Sequence, residues 1–316
     1  MTDLVRVCEE WFPDTNGFLI DLKLKEQVET CVINVVDDWD FVFIITGGGE
    51  VRVGKSVLGL QILIYWNYLM WKLHKIKVPF DVKKNIVFNW DKLIESGNNL
   101  AKEGKYFALQ YDEAGETMEG TKTSTSELKA IKDYLRECGQ YNSLTILVMP
   151  EYFTLPIGIA LTRSICLIDV YYTVNEMTRK FERGYFRFYS RKSKKKLYIE
   201  GKKELNYKAA PYNFDGEFKN FYPIDEKEYR TSKQKALQER EESTKNKFLV
   251  VRDALINYLH KEEGITFRDM RKEIYNRTGI YLTRSALAHA SEKVEMMSPN
   301  KINAYTEDKN YKENEE

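Results

Sequence analysis

The sequence predicts an α/β fold: a mainly parallel sheet covered by helices, a basic β-hairpin extension, and a small helical domain at the C-terminus. Three observations predict it. Residues 41–46, FVFIIT, are apolar and rich in β-formers throughout, the pattern of a strand buried on both faces. Further strand-like runs alternate with helical ones, as in sheets whose parallel strands are joined by crossover helices. A chain of 316 residues, 43% of them hydrophobic, also holds enough apolar side chain for one core plus an appendage, since single cores stop growing near ~250–300 residues.

The strand at 41–46 ends in Gly47-Gly48-Gly49. A helix is expected from near Gly54 to about His74, because Leu58, Ile62, Tyr65, Leu69 and Leu73 recur at spacings of three and four. Residues 85–90 (NIVFNW) read as a second strand, with a helix beginning near Asp91, and residues 106–111 (YFALQY) as a third strand ending at Asp112-Glu113. The Gly/Thr/Ser-rich stretch 115–126 reads as a mobile loop. A helix over 127–138, a strand over 144–149 (LTILVM) closed by Pro150, and a strand over 165–172 (ICLIDVYY) come next. Residues 184–190 and 196–199 read as the strands of a basic antiparallel hairpin within 179–203, which completes a main domain over 1–230. The almost wholly polar 231–247 marks a boundary, either an exposed helix or a linker. Residues 248–297 regain helical periodicity, and 298–316 read as a disordered acidic tail.

Composition narrows the function classes. A net charge of +1 carries no chain-wide nucleic-acid or membrane signature, so any such signal must be local. Cys8, Cys31, Cys138 and Cys166 are far apart, as are His74, His260 and His289, so no zinc site is expected. Unpaired cysteines fit a reducing cytoplasm, and the acidic N-terminal residues lack the apolar stretch of a secretory signal. No apolar run approaches the ~20 residues that cross a bilayer, so a cytoplasmic protein without membrane insertion is expected.

The chemistry is concentrated in two places. Gly49-Glu50-Val51-Arg52-Val53-Gly54-Lys55-Ser56 matches G-x-x-x-x-G-K-[ST] at every fixed position, with a strand before it and a helix after it that continues through Val57. Glycines let the backbone turn until its N–H groups face phosphate oxygens, forming a concave nest at a helix N-terminus. Lys55 would set a point charge on the β- and γ-phosphates of an ATP-like nucleotide, and Ser56 would offer its hydroxyl to Mg²⁺. The second place is Asp112-Glu113, 57 positions after Lys55 and at the end of an apolar strand. There Asp112 would hold Mg²⁺ through water, and Glu113 would polarise the attacking water as general base.

Together these residues resemble the additional-strand, catalytic-glutamate branch of P-loop ATPases, which includes RecA-like, AAA+ and DNA-pumping motors. The resemblance implies a RecA-like core in which a further strand, here 144–149, lies between the P-loop strand and the Asp-Glu strand. DNA pumps of the FtsK/HerA type commonly end that strand in Thr-Gln, where this chain has Met149-Pro150-Glu151, a departure that bears on any phosphate-sensing role for Glu151. The run RECGQYNSLTILVMPEYFTLP is also similar to phage, plasmid and viral packaging or export ATPases, among them zonula-occludens-toxin-like assembly proteins. In those relatives an arginine reaches a neighbour's γ-phosphate, which implies a homo-oligomeric ring with Arg136 or Arg163 acting in trans. Arg52 resembles the basic residue inside the P-loop of viral terminases. The resemblance spans about residues 41–230.

Beyond the nucleotide motifs, the segment 179–203 packs Arg183, Arg187, Arg191, Lys194, Lys195 and Lys196 among tyrosines and phenylalanines. Two readings stand: a patch that binds phosphodiester backbone without reading sequence, or lysines protecting a sheet edge. Residues 248–297 read as a helix-turn-helix or winged-helix unit. Thr266 and Thr283 are its helix caps, Thr278-Gly279 the turn, and Arg284, Ser285 and His289 lie on an outer face that would meet DNA; a protein-binding module is the alternative. The favoured function is Mg²⁺-dependent ATP hydrolysis that translocates or packages DNA for a virus, phage, plasmid or other mobile element. An assembly or secretion ATPase acting on protein, and a nucleotide-switched DNA-binding regulator, are the alternatives.

Overall fold

The computed structural model describes residues 3–112, 114, 126–278 and 281–295. The chain divides into two compact units, Met1–Lys233 and Gln234–Glu316.

The first unit opens with β1 (Leu4–Val7) and β2 (Phe18–Asp21), a separate antiparallel pair, and with helix α1 (Leu22–Val35), capped where the Asp21 carboxylate accepts from Leu24 N at 3.1 Å. These elements lie outside the expected ones. Their apolar positions are scattered among charged residues, and only burial against the main core reveals them.

The central sheet comprises β3 (Phe41–Thr46), β4 (Ile86–Val87), β5 (Ala108–Tyr111), β6 (Leu144–Val148), β7 (Cys166–Val174), β8 (Phe181–Ser190) and β9 (Phe214–Glu217). Their spatial order is β4-β5-β6-β3-β7-β8-β9. The first five run parallel, and β8 and β9 are each added by an antiparallel pairing. This is a mixed α/β fold with a mostly parallel sheet. The strand expected between the phosphate-loop strand and the Asp112 strand is β6, which pairs with both. All six residues of β3 are buried, as a central strand covered on both faces requires. Helix α2 (Lys55–His74) is buried almost all round, and its Gln61 amide donates to the carbonyls of Lys219 and Phe221 at 2.7 and 2.8 Å.

Two expected strands change. The run 85–90 shrinks to Ile86–Val87, because Asn85 ends the short helix α3 (Val82–Asn85) and Asn89 begins α4 (Trp90–Glu103). Asn85 also reaches across the sheet, donating to Ala108 O at 2.8 Å. After α5 (Ser126–Glu137), β6 and β7, the expected hairpin of 184–190 with 196–199 does not form: β8 pairs with β7 on one side and β9 on the other, while Arg191–Gly201 is helix α6. The reason is periodic. Lys194, Leu197, Tyr198 and Gly201 are buried at helical spacing, which a strand at 196–199 would have scattered over two faces. The polar stretch 231–247 falls within α7 (Glu226–Lys261).

The second unit holds the rest of α7 with α8 (Phe267–Thr278) and α9 (Arg284–Glu295), around Ile256, Met270, Leu287 and Ala290. Thr266 Oγ1 accepts from Asp269 N at 3.2 Å, and Thr283 Oγ1 from Ala286 N at 3.1 Å, so each threonine caps the helix it precedes. Gly279, Glu113, the stretch 115–125 and the tail 298–316 lie outside the described residues. Among the described residues no helix is long and apolar enough to cross a membrane.

Candidate functional site

Strand register assembles the site. Ile44 of β3 and Tyr111 of β5 both pair with Leu147 of β6, so the C-terminal ends of three strands finish abreast. Their next residues are thereby brought together: the glycine loop, Asp112, and Pro150-Glu151. In open α/β sheets this edge is where ligands bind.

The loop has the backbone that its glycines allow. Gly48, Gly49 and Gly54 have φ of 55°, 82° and 106°. At Gly54 a Cβ would also meet the Phe218 ring at 2.9 Å, so both strain and space demand glycine there. Gly49 N donates to Pro150 O at 2.9 Å and Glu50 N to Gly47 O at 2.8 Å, which tie the loop to β6 and close it on itself. Val53 is buried and anchors the loop, while Val51 and Arg52 are exposed on its outer side. Gly54 is the N-cap of α2, so the N–H groups of the first helical turn, which no helix can satisfy from within, form an anion-binding terminus here. The Lys55 ammonium folds back over the loop and donates to Glu50 O.

The two residues expected on the metal side meet directly. Ser56 Oγ donates to Asp112 Oδ1 at 3.0 Å, bridging α2 and the end of β5, and Asp112 is 1% exposed. Two hard oxygen donors side by side at a helix N-terminus suit Mg²⁺, with phosphate and water completing its shell. The other carboxylate oxygen of Asp112 accepts from the Tyr229 hydroxyl and, at 3.3 Å, from the Lys233 ammonium, both on the first turns of α7. Burial, then the neighbouring Asp112, push the Tyr229 phenol far above its ordinary range, so it stays a donor. Glu113, expected to be the general base, lies outside the described residues.

No protein-family model matches the chain. No curated protein matches it. Among solved structures it is similar to the genome packaging NTPase B204 from Sulfolobus turreted icosahedral virus 2 in complex with AMPPCP, at 15% identity and TM-score 0.33, over 49% of this chain and 94% of that one. The ATP-gammaS complex of the same NTPase gives 16% identity, TM-score 0.32, and 49% and 94% coverage. The DNA-packaging ATPase B204 from Sulfolobus Turreted Icosahedral Virus gives 18% identity, TM-score 0.32, and 50% and 94% coverage. Superpositions that loose transfer no residue role, so the functional reading stands on this chain's own side chains.

The other expected site residues lie as follows. The Arg163 guanidinium is ion-paired with Asp40, donates to Leu135 O and lies 3.3 Å from Cys138 Sγ, at 18% exposure. Arg136 is exposed, 3.8 Å from Asp133. Arg187 turns inward to pair with buried Asp169 at 3.2 Å and covers the Tyr171 ring at 4.2 Å. Burial pushes Asp169 up to about 7 in spite of Arg187. Lys194 is wholly buried and donates to the carbonyls of Ala160 and Leu161, which rules out a contact with DNA from this position. Desolvation pulls its ammonium down to about 8. Arg183, Arg191, Lys195 and Lys196 remain exposed, as do Arg284, Ser285 and His289 in the second unit.

Sequence reasoning missed Tyr229, Lys233 and Tyr207. Tyr229 leaves a faint trace, a lone aromatic in a polar helical stretch; Tyr207, in an irregular segment, leaves none.

Proposed function

We propose that this chain is a Mg²⁺-dependent P-loop ATPase whose hydrolysis drives the translocation or packaging of DNA. The observation that carries the ATPase reading is the 3.0 Å contact of Ser56 and Asp112 beneath a glycine loop. It brings together, from the start of α2 and the end of β5, the two residues that the separate motifs would set on a metal. In this reading the loop N–H groups and Lys55 bind and orient the triphosphate, Ser56 and Asp112 hold the metal, and Glu113 polarises the attacking water as general base. The metal, when bound, would neutralise charge developing on the phosphates.

The DNA part rests on local charge. Arg183, Arg191, Lys195 and Lys196 are solvent-facing cations in a chain of nearly zero net charge. The inward turn of Arg187 and Lys194 thins that patch and gives weight to the second reading, an assembly ATPase acting on protein.

ATP turnover measured with and without duplex DNA, across a salt series, separates the two. The DNA reading expects stimulation and binding that weakens steeply with salt; turnover indifferent to DNA and no binding would sink it. Lys55→Ala should abolish nucleotide binding or turnover, and normal turnover in that variant would remove the phosphate-site assignment.

A further inference from the structure

The first unit carries a second concavity, a groove of about 1000 Å³ lined by α5, α6 and the segment 153–163 with its π-helical turn Gly158–Arg163. None of its lining residues belongs to the glycine loop or to the Asp112 strand end. Its floor is Leu135, Phe153, Leu155 and Ile159, each nearly closed to solvent, and Ile157 stands 61% exposed on the lip. The Phe153 ring packs against Tyr207 with centroids 4.8 Å apart, and the Tyr207 hydroxyl donates to Glu151 Oε1. The other oxygen, Oε2, lies 3.7 Å from the position a Cβ on Gly49 would take, so the floor is continuous with the end of β6.

The walls are held from within. A π-helical turn leaves backbone carbonyls without the usual helical partners, and such turns recur at functional sites. Here Lys194 donates to the carbonyls of Ala160 and Leu161, and Ser164 Oγ to those of Ile159 and Ala160, both at 3.0 Å. Arg163 ties the turn to α5 through Leu135 O, and Arg191 ties it to α6 through Thr162 O at 3.4 Å. On the α6 side the Tyr198 hydroxyl donates to Leu155 O at 2.6 Å, and the Lys202 ammonium donates to that hydroxyl at 2.7 Å while covering the ring. The burial of Lys194 thus has a physical reason: it fixes a wall of the groove.

Charge decides what such a groove can take. Among the described residues that line it, Lys132, Arg136, Arg163 and Lys202 are cations and none is a carboxylate. Asp40 answers Arg163, and Arg136 stands 3.8 Å from Asp133, whereas Lys132 and Lys202 have no carboxylate partner among the described residues. Lys132 and Arg136 lie one turn apart on α5 and Lys202 follows α6, so positive charge flanks the apolar floor from two walls. A ligand with a single anionic head would answer one wall only. A phosphodiester backbone brings charge without an apolar side chain for the floor. An acidic peptide brings both.

We propose that this groove docks a segment of a partner protein in which an apolar side chain stands between Asp or Glu residues. The apolar side chain covers the floor beside Ile157, and the carboxylates meet Lys132 and Arg136 on one wall and Lys202 on the other. The proposal goes beyond the ATPase reading and does not depend on it.

The test is fluorescence anisotropy of a labelled synthetic peptide, a leucine–phenylalanine pair between two runs of glutamate, titrated with the full-length chain. The parent should bind it saturably, with affinity that falls as salt is raised. Lys132→Glu combined with Lys202→Glu should weaken binding by about tenfold or more, and Ile157→Ser by about fivefold. Thermal unfolding and ATP turnover should stay at the parental values, since these side chains lie on walls and lip and not in the nucleotide site. A peptide with lysine in place of glutamate should prefer the doubly reversed chain, a rescue that a merely damaged fold would not give. The proposal is overturned if the parent does not bind the glutamate peptide, or if the doubly reversed chain binds it as the parent does. It is overturned too if octyl sulfate alone binds as tightly as the peptide, which would assign the groove to a small amphiphile. An oligomer of the parent that the double reversal breaks, seen by mass measurement, would assign it to a second copy of the chain and overturn it likewise.

Discussion

Lys233 stands where a divalent cation would be attracted, and replacing it has a calculable consequence. Its ammonium is 3.3 Å from Asp112 Oδ2, with the carboxylate 1% exposed and the lysine side chain 25% exposed. At an effective dielectric of ~20 a unit charge pair at that distance is worth about 5 kcal/mol before solvent is counted. Water reaching a quarter of the lysine screens this to about 2 kcal/mol, the range of a hydrogen bond between charged groups. A metal arriving at Ser56 and Asp112 must overcome that term. Lys233→Met keeps the aliphatic stem and removes the charge, so metal affinity should rise by about 30-fold, 1.4 kcal/mol being a factor of ten. The assay is a Mn²⁺ titration of the nucleotide-bound protein monitored by electron paramagnetic resonance, with Tyr229→Phe as the neutral comparator. If Lys233→Met binds Mn²⁺–nucleotide more weakly than the parent, the ammonium serves the phosphates and does not compete with the metal.

Three further outcomes are expected. Lys194→Met should stabilise the protein at neutral pH. Between about pH 8 and the ordinary lysine value of 10.5 the unfolded chain holds a proton that the folded chain has released, so parental stability rises with pH across that window by about 3 kcal/mol; the variant should lose that rise in denaturant titrations at pH 7.5 and 10, and keeping it would refute the assignment. Arg163→Met leaves Asp40 half-buried and unpaired, and should lower stability by about 2 kcal/mol while nucleotide affinity is retained; unchanged unfolding with lost turnover would refute that structural role and favour one in trans. Gly54→Ala, strained at φ 106° and pressed on Phe218, should lose nucleotide binding measurably even where thermal unfolding shows the fold intact.

The parts legible in the sequence are those that depend on local chemistry. The glycine loop, Lys55 and Ser56 could be placed because a nest of N–H groups at a helix start needs those residue types in consecutive positions. Strand β3 announced itself by five apolar residues in a row closed by a threonine. The caps at Thr266 and Thr283 obey the same rule, one hydroxyl answering one N–H three residues on. Residues 196–199 failed as a strand because four residues are too few to separate period 2 from period 3.6, and the burial of Lys194 breaks the assumption that a lysine faces water.

The rest of the site is set by partners distant in the chain. Asp112 is separated from Tyr229 by 117 positions and Glu151 from Tyr207 by 56, and no local pattern records such pairings. Their physical logic is nonetheless shared. Each is a buried or half-buried carboxylate with one oxygen clasped by a phenol that its surroundings hold in the protonated, donating form. In each, the clasp leaves the other oxygen for the site: Asp112 Oδ1 for Ser56, and Glu151 Oε2 beside the glycine loop. A carboxylate anchored in this way keeps its orientation when the ligand leaves, so the cost of arranging it is met during folding and is not charged against each catalytic cycle. Two phenols in one site, both donating to carboxylates at the ends of adjacent strands, thus do the positioning that the nucleotide motifs alone leave unspecified.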